Sequence, residues 1–489
     1  MTQVLPLVIL ATALVPSLVT FLLAEERVVL RNTLNLGGAV IKLALVLFML
    51  AEVGRGQLYQ WSYDLVPGLA LVLRIDALSL LFVTLSTILW LLTTIYAIAY
   101  LRGGENLGRF FGFFSLCVFS TTGIAFSGTL ITFFVFYELL TLATWPLVVH
   151  RGNAASIRAG RTYLAYTLTG SAVFLFGIVW LESAVGPVAF VGPTDLGQLD
   201  PWMLRVIFVL LIAGLGVKAA LIGLHAWLPA AMVAPAPVSA LLHAVAVVKA
   251  GAFGIVRVIY DIFGIALVQE IGMGVPLALI ASATILFGSL RALAQNGLKP
   301  LLAYSTVSQV SYIVLGASLF STAAVVGGLV HLVHQGLMKI TLFFCAGVYD
   351  ERGGVHDIDE LDGIGARLPW TSIAFTLGAL GMIGLPPIAG FASKWYLGTG
   401  ALDADQSWVI AVLAVSTLLN AAYFLPVLYR IWFRPAGEHD KRTEREGPGA
   451  LVVPPFATAL LALAAGLLAA LAFSPLGWAI LIVERQYAP

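Results

Sequence analysis

The chain has 489 residues, of which 60% are hydrophobic and only 10% charged, and its formal net charge is +1. A globular domain is typically about 25% charged, so this composition, with a mean hydropathy of +0.99, excludes a soluble fold built round one large core. The near-neutral balance gives no footing for a nucleic-acid partner. Two cysteines, Cys117 and Cys345, both lie within apolar runs and read as small hydrophobes rather than as a disulfide or a metal pair.

Apolar runs recur from end to end, each long enough to cross the roughly 30 Å of hydrocarbon in a bilayer. Spans are expected over residues 3–24, 33–52, 76–101, 110–126, 129–149, 161–182, 204–228, 237–260, 273–294, 301–318, 323–348, 370–397, 407–432 and 452–482, which makes 14. The first is too long, and Met1-Thr2-Gln3 too poor in basic residues, for a cleaved targeting peptide. Spans 7, 12 and 14 are long or interrupted. Between spans 2 and 3 the alternating, aromatic-rich LYQWSYDLV predicts an interfacial hairpin or a short helix. The fold class is therefore an all-α polytopic membrane protein.

Basic residues set the orientation. With the N-terminus outside, the cytoplasmic loops hold Arg27, Arg31, Arg102, Arg109, Arg151, Arg158, Arg161, Arg291, Lys299, Arg352, Arg367, Arg430, Arg434, Lys441, Arg442 and Arg445. The other side holds Arg55, Arg74, Arg205, Arg257 and Arg485, a ratio of 16 to 5. The positive-inside rule then favours both termini on the non-cytoplasmic side. The five remaining basic residues, Lys42, Lys218, Lys249, Lys339 and Lys394, are all lysines and all fall inside spans. Arginine stays protonated, whereas a desolvated lysine can release its proton. The division suits groups that must titrate.

Taken in order, Lys42 in GGAVIKLALVLFML has neither a helix break nor polar neighbours, and a peripheral position facing a partner subunit is expected. Glu138 sits near the centre of span 5, in TFFVFYELLTLATWPLV. A carboxylate there costs roughly 2.5–3.5 kcal/mol on insertion scales and needs a partner. Lys218 is the candidate: closing the pair holds the proton on the lysine, and opening it lets the proton leave. The other reading is a neutral Glu138 hydrogen-bonded between helices.

The stretch GVKAALIGLHAWLPAAMVAPAPVSALLHAVAVVKAG, from Gly216 to Gly251, holds Lys218, His225, His243 and Lys249 around Pro229, Pro235 and Pro237. Lys218 and His225, seven apart, share one face if the helix is continuous. A relay role is expected for His225, with capping of a half-helix as the alternative. His243 and Lys249, six apart, lie on different faces. Lys249 continues the central line better than His243, whose alternative is a bond to a neighbouring carbonyl. On span 11, GLVHLVHQGLMKITLFFCAG aligns His331, Gln335 and Lys339 at spacings of four, with His334 bordering the stripe; a hydrophilic relay is expected there. In span 12, Gly384, Pro386, Pro387 and Gly390 should break the helix ahead of Lys394, leaving that lysine facing a cavity rather than snorkelling beside Trp395 and Tyr396. Broken helices five spans apart point to inverted repeats, spans 4–8 and 9–13, with sites near the midplane. The expected divisions are 1–109, 110–263, 264–434 and 435–489. The acidic loop Asp350–Asp362, DERGGVHDIDELD, lacks EF-hand spacing and reads as a solvated or docking loop. No P-loop, dinucleotide, haem or iron–sulfur motif occurs, so neither a cofactor nor a metal is expected.

ELLTLATWPLVVH, the proline-split run just quoted, HLVHQGLMKITLFFCAG and GLPPIAGFASKW together resemble the antiporter-like subunits of respiratory complex I, membrane-bound hydrogenases and Mrp-type cation/proton antiporters, and FASKW is most similar to the D-type subunits of the Mrp antiporters. The resemblance covers most of spans 4–13. It implies 14 helices with two inverted five-helix repeats and broken helices 7 and 12. It also implies a proton relay in which Glu138, Lys218, Lys249 and Lys394 match the family's charged positions, with His225, His243, His331, His334, Gln335 and Lys339 as secondary members. The complex I M-type subunit carries glutamate where Lys394 stands, and a long lateral helix like that of the L-type is not expected. The family's second span 11 histidine falls on Gln335, which cannot titrate, so His334 either substitutes or that branch is altered. The resemblance implies translocation of protons, with Na+ or K+ as the candidate counter-ions, in a bacterial-type cell (inner) membrane, by a subunit that is no enzyme in isolation and that assembles with other integral membrane subunits. The alternative is a pumping subunit of a redox complex; a free-standing solute carrier is the weakest reading.

Overall fold

The computed structural model describes residues 4–66, 68–435 and 446–487, with the side chains of residues 242–245 outside that description. Three long helices follow the N-terminus: α1 (Leu5–Leu22), α2 (Val28–Gly54) and α3 (Ala77–Tyr100). Between α2 and α3 the alternating segment forms an antiparallel hairpin, β1 (Tyr59–Val66) and β2 (Leu69–Ile75), with Tyr59 opposite Ile75. Of the two forms expected, the hairpin is the one present. Next come α4 (Leu107–Phe126), α5 (Leu130–Val148), α6 (Ala154–Val185) and α7 (Pro201–Lys218). Their starts are written locally. Asp76, Thr129, Asn153 and Asp200 each accept a hydrogen bond from a backbone N–H in the first turn of α3, α5, α6 and α7, satisfying a donor that has no partner within the helix.

The second half comprises α8 (Val247–Arg257), α9 (Gly274–Leu293), α10 (Leu298–Ser318) and α11 (Thr322–Gly353), then α12 (Pro369–Ile383), α13 (Ala389–Asp403), α14 (Trp408–Phe433), α15 (Gly449–Leu467) and α16 (Pro475–Ile482). Twelve of the described helices are long and apolar enough to span a bilayer. The span expected at 237–260 is instead a wide-turn π segment, Ser239–Ala246, running into α8. The span expected at 452–482 stops at Leu467 and resumes at α16, where Ser474 caps Gly477 and Pro475 takes the first turn.

Burial and polarity run together. The apolar windows of α10 and α11 are almost wholly enclosed, and these two are among the least apolar of the spans, whereas α1, α2, α14 and α15 turn most of their surface outward and are strongly apolar. Lipid penalises polar side chains, so helices that carry them must be wrapped in other helices. α11 is the hub, packed against α3, α10, α12, α13, α15 and the π segment.

Both expected breaks occur, the first earlier in the chain than expected and the second at residues 384–390 as expected. α7 ends at Lys218 rather than near residue 228; Ala220 (φ +57°) and Gly223 (φ +83°) turn the chain before a short helix at Trp227–Ala230. α12 ends at Ile383, where Gly384 (φ +96°) adopts a left-handed conformation, and α13 starts at Ala389 beyond a cis Pro386–Pro387 bond. A Cβ at Gly390 would stand 1.9 Å from the carbonyl oxygen of Gly381, so only glycine lets the two half-helices lie this close.

Two placements differ from expectation. Arg257 is no loop residue: it is the buried last residue of α8, paired with Asp76 at 2.8 Å and Asp261 at 2.7 Å. Its flanking carboxylates make arginine tolerable at that depth, and Asp76 is distant in sequence. Lys42 does not face outward either. It is wholly buried in this chain, bonded to Thr122 of α4 and 5.4 Å from the Trp90 ring. The acidic loop is docked rather than free. Asp350 pairs with Lys299, and Asp359 and Asp362 pair with Arg430, tying the end of α11 to α10 and α14.

Candidate functional site

The lysines lie on separate elements. Lys218 closes α7, and its Nζ donates to the Tyr137 carbonyl of α5 while standing 3.3 Å from the centroid of the Tyr137 ring. The Tyr137 hydroxyl donates to the Gly214 carbonyl at 3.2 Å, which fixes the ring against α7. Glu138, the next residue of α5, accepts a hydrogen bond from Ser171 of α6. Among the described residues no ion pair joins Glu138 to Lys218; they are within electrostatic reach but each is held by another group. The expected pair is therefore open, because Ser171 and the Tyr137 carbonyl satisfy the two charges separately.

His225 is not on a face shared with Lys218. The helix stops at Lys218, and His225 lies past the break, half-buried, its ring 4.9 Å from that of Phe287. The His243 side chain lies outside the described residues.

Lys249 is central. It is wholly buried, and its Nζ has no hydrogen-bond partner among the described residues. Two residues along α8, a Cβ on Gly251 would fall 2.3 Å from the Ala219 amide nitrogen, so glycine lets α8 abut the end of α7. Lys249 is within electrostatic reach of both His331 and Lys339. α8 thus abuts the end of α7 and brings Lys249 within electrostatic reach of the α11 stripe.

On α11 the stripe is present and wholly buried. His331 bonds through Nδ1 to Ser393 at 2.8 Å and through Nε2 to Gln309 at 3.1 Å. Both ring nitrogens of His334 and both amide atoms of Gln335 lack partners among the described residues. A buried polar group without a partner costs about 1–3 kcal/mol, so His334 and Gln335 are the least satisfied members of the stripe. Lys339 donates to Ser305 at 2.7 Å.

Lys394 reaches back over the break. Its Nζ donates to the carbonyls of Ile383 at 2.7 Å and Met382 at 3.3 Å and to Thr417 at 3.1 Å. The carbonyl end of α12 carries the negative pole of the helix dipole, which favours an ammonium. The two breaks are thus used differently: Lys218 is the end residue of its half-helix, while Lys394 belongs to the following helix and caps the preceding one.

Several polar neighbours escaped the sequence reading: Tyr137, Ser171, Ser305, Asn420 and Tyr423. The last two had a signal. Ser416, Asn420 and Tyr423 recur at spacings of four and three on α14, the period of one helical face. Among the described residues no group of three or more His, Cys, Asp or Glu is placed to hold a metal ion, and the two cysteines are free and buried.

Comparison with known proteins agrees with this architecture. A family profile described as "NADH:quinone oxidoreductase/Mrp antiporter, TM" matches residues 127–420, and one for the N-terminus of complex I chain 5 matches residues 68–111. NADH-quinone oxidoreductase subunit N of Desulforudis audaxviator is 35% identical over 460 residues, covering 92% of this chain and 90% of that protein. The D-type Na(+)/H(+) antiporter subunit of Alkalihalophilus pseudofirmus is 26% identical, covering 78% of each. A chain in the Mrp complex of a Dietzia species shares the fold, with a TM-score of 0.85 and 23% identity over 98% of both chains. The match across more than half the chain, together with the buried polar line it encloses, makes this protein a member of the NADH:quinone oxidoreductase/Mrp antiporter family of membrane subunits.

Proposed function

We propose that the chain moves protons across the bilayer as one subunit of a multisubunit membrane assembly. Protons enter near Lys218 under the control of Glu138, pass Lys249 and the α11 stripe, and leave near Lys394. One observation supports this reading: Lys249, wholly buried and without a hydrogen-bond partner among the described residues, lies on a helix that abuts the end of α7, whereas Lys218 and Lys394 are each provided with acceptors. Water bridges the intervals between lysines, as the polar atoms of His334 and Gln335 that have no partner among the described residues invite. The proposed frame is 14 crossings with two inverted repeats, residues 110–263 and 264–434, and both termini on the non-cytoplasmic side.

The host assembly has two readings. In the first it is a cation/proton antiporter, with this chain in the place of a D-type subunit, as the lysine at 394 favours. In the second it is a redox-driven pump, favoured by the 35% identity with an NADH-quinone oxidoreductase subunit over nearly the full chain. Native purification separates them: antiporter subunits accompany the chain in one case, iron–sulfur and quinone-binding subunits in the other. For the translocation itself, Lys218→Ala in the intact assembly, reconstituted in proteoliposomes, should abolish ion-coupled pH change while the subunits still co-purify. Normal transport by that variant overturns the reading.

A further inference from the structure

The second group of lysines is joined by a hydrogen-bonded chain that leaves α11 altogether. Lys339 Nζ meets Ser305 Oγ at 2.7 Å, Ser305 meets the Tyr423 hydroxyl at 2.9 Å, and Tyr423 meets Asn420 Oδ1 at 2.6 Å. Asn420 Nδ2 meets the Met382 carbonyl at 3.2 Å, and the same oxygen accepts from Lys394 at 3.3 Å. All of Ser305, Asn420 and Lys339 are wholly buried, and Tyr423 nearly so.

The direction of every hydrogen follows from the far end. A carbonyl only accepts, so Met382 obliges Asn420 to present its NH2 group, which leaves Oδ1 facing Tyr423. Tyr423 has one hydroxyl hydrogen and must give it to Oδ1. Ser305 must then donate to Tyr423, and Lys339 to Ser305. The chain is oriented from Lys339 to the Met382 carbonyl, onto which Lys394 donates from the other side.

Such a row has the form of a proton wire, yet its last link is an amide. A proton leaving Lys339 Nζ can displace the Ser305 hydrogen onto Tyr423, but the Tyr423 hydrogen then has to settle on an amide oxygen. Asn420 would have to release an N–H proton to a backbone carbonyl in return. Neither group exchanges protons readily, unlike a carboxylate. We propose that Asn420 is a proton barrier: a positioning residue that fastens the Lys339 and Lys394 sites into one network while forbidding direct passage between them. Exchange is thereby confined to the His331 side, where His331 meets Ser393, the neighbour of Lys394.

This inference rests on the translocation reading above, and the two can fail separately. The test uses the intact assembly in liposomes, with passive proton conductance under an imposed potential read by an entrapped pH dye. Asn420→Asp supplies a carboxylate that takes the Tyr423 proton at one oxygen, the tyrosine being resupplied through Ser305 from Lys339. Its other oxygen gets no hydrogen from the Met382 carbonyl, so it should turn to the Lys394 Nζ that shares that carbonyl and yield the proton to the neutral amine, bypassing the backbone. Conductance should rise at least about tenfold, below the hundredfold that a placed acid–base group commonly contributes. Asn420→Leu, which breaks the chain without carrying protons, should leave conductance at the starting level. Adding Tyr423→Phe to Asn420→Asp should return it there. Tyr423→Phe alone should keep coupled translocation within about twofold, against the roughly 10²-fold or greater loss expected of a true acid–base carrier. An unchanged conductance in Asn420→Asp overturns the barrier, and so does a tenfold loss of translocation in Tyr423→Phe, which would make the hydroxyl chain the conduit. The Tyr423→Phe measurement decides alone if Asn420→Asp fails to assemble. Normal transport by Lys218→Ala would instead strike at the function and not at this link.

Discussion

Lys394 belongs to α13, yet it donates to the carbonyl of Ile383, 2.7 Å away and the last residue of α12. The lysine closes a break that the chain made eleven residues earlier. Gly384 is what allows this: it holds φ +96°, and a Cβ there would stand 2.8 Å from Lys394 Cδ. Gly384→Ala should destabilise the protein by about 1–3 kcal/mol, the usual cost of a side chain forced into a left-handed backbone. It should also push the ammonium off the carbonyls. Thermal unfolding followed by tryptophan fluorescence checks the first effect; an unchanged midpoint would sink it.

Arg257 is clasped by Asp76 and Asp261, all three buried, with Tyr487 donating to Asp261 at 3.2 Å. Arg257→Ala leaves two buried carboxylates without their counter-charge. Loss of one partner of a buried pair costs about 3–5 kcal/mol, so the variant should fail to accumulate in membranes. Replacing both aspartates by asparagine in the same variant should restore part of the yield, an outcome that simple loss of packing does not produce.

Lys249 has no acceptor among the described residues to hold its hydrogens, which suits a group that gains and releases a proton in turn. Lys249→Arg puts a permanently charged guanidinium at that place, whereas Lys249→His keeps a titratable base. Proton translocation should fall by at least about 100-fold in the first, the loss of an acid–base contribution, and by clearly less in the second. Equal activities in the two variants would remove titration from the role of Lys249.

His150 lies just past the end of α5, outside the spans, with Arg109 donating to its carbonyl. Burial first, then the charges of Arg109 and Arg151, hold its imidazole below the ordinary value of 6.5. The folded state therefore binds fewer protons than the unfolded chain around and below that value. Its contribution to stability is complete above about pH 6.5 and is lost as the pH falls below it. The melting temperature should decline between about pH 7 and pH 5, and less steeply in His150→Asn. Parallel slopes in the two proteins would contradict this.

Much of the site was legible because charge inside an apolar run is conspicuous. Lys218, Lys249, Lys339, Lys394 and Glu138 stand out by residue type alone, and glycine and proline mark both breaks. What the sequence concealed was partnership. Ser171 is 33 residues from Glu138 and Tyr423 is 118 from Ser305, and no local pattern says which faces meet. Uncharged hydroxyls also hide well: serine and tyrosine barely disturb the hydropathy of a span, although on α14 Ser416 and Tyr423 bond to Tyr312 and Ser305 of α10. Lys42 and Arg257 were misplaced for the same reason. Thr122 and Asp76, which hold them, come from other elements.

The enclosure of α11 has a consequence for how the protein is made. A helix bearing His331, His334, Gln335 and Lys339 is a poor solute in lipid, and the neighbours that cover it include α12, α13 and α15, which are synthesised after it. During biosynthesis α11 must wait, with that face only partly covered by α3 and α10, for the rest of the chain to arrive. Whatever escorts the nascent chain must shelter this one helix longest, and a chain terminated just after Gly353 should be recognised as defective and degraded.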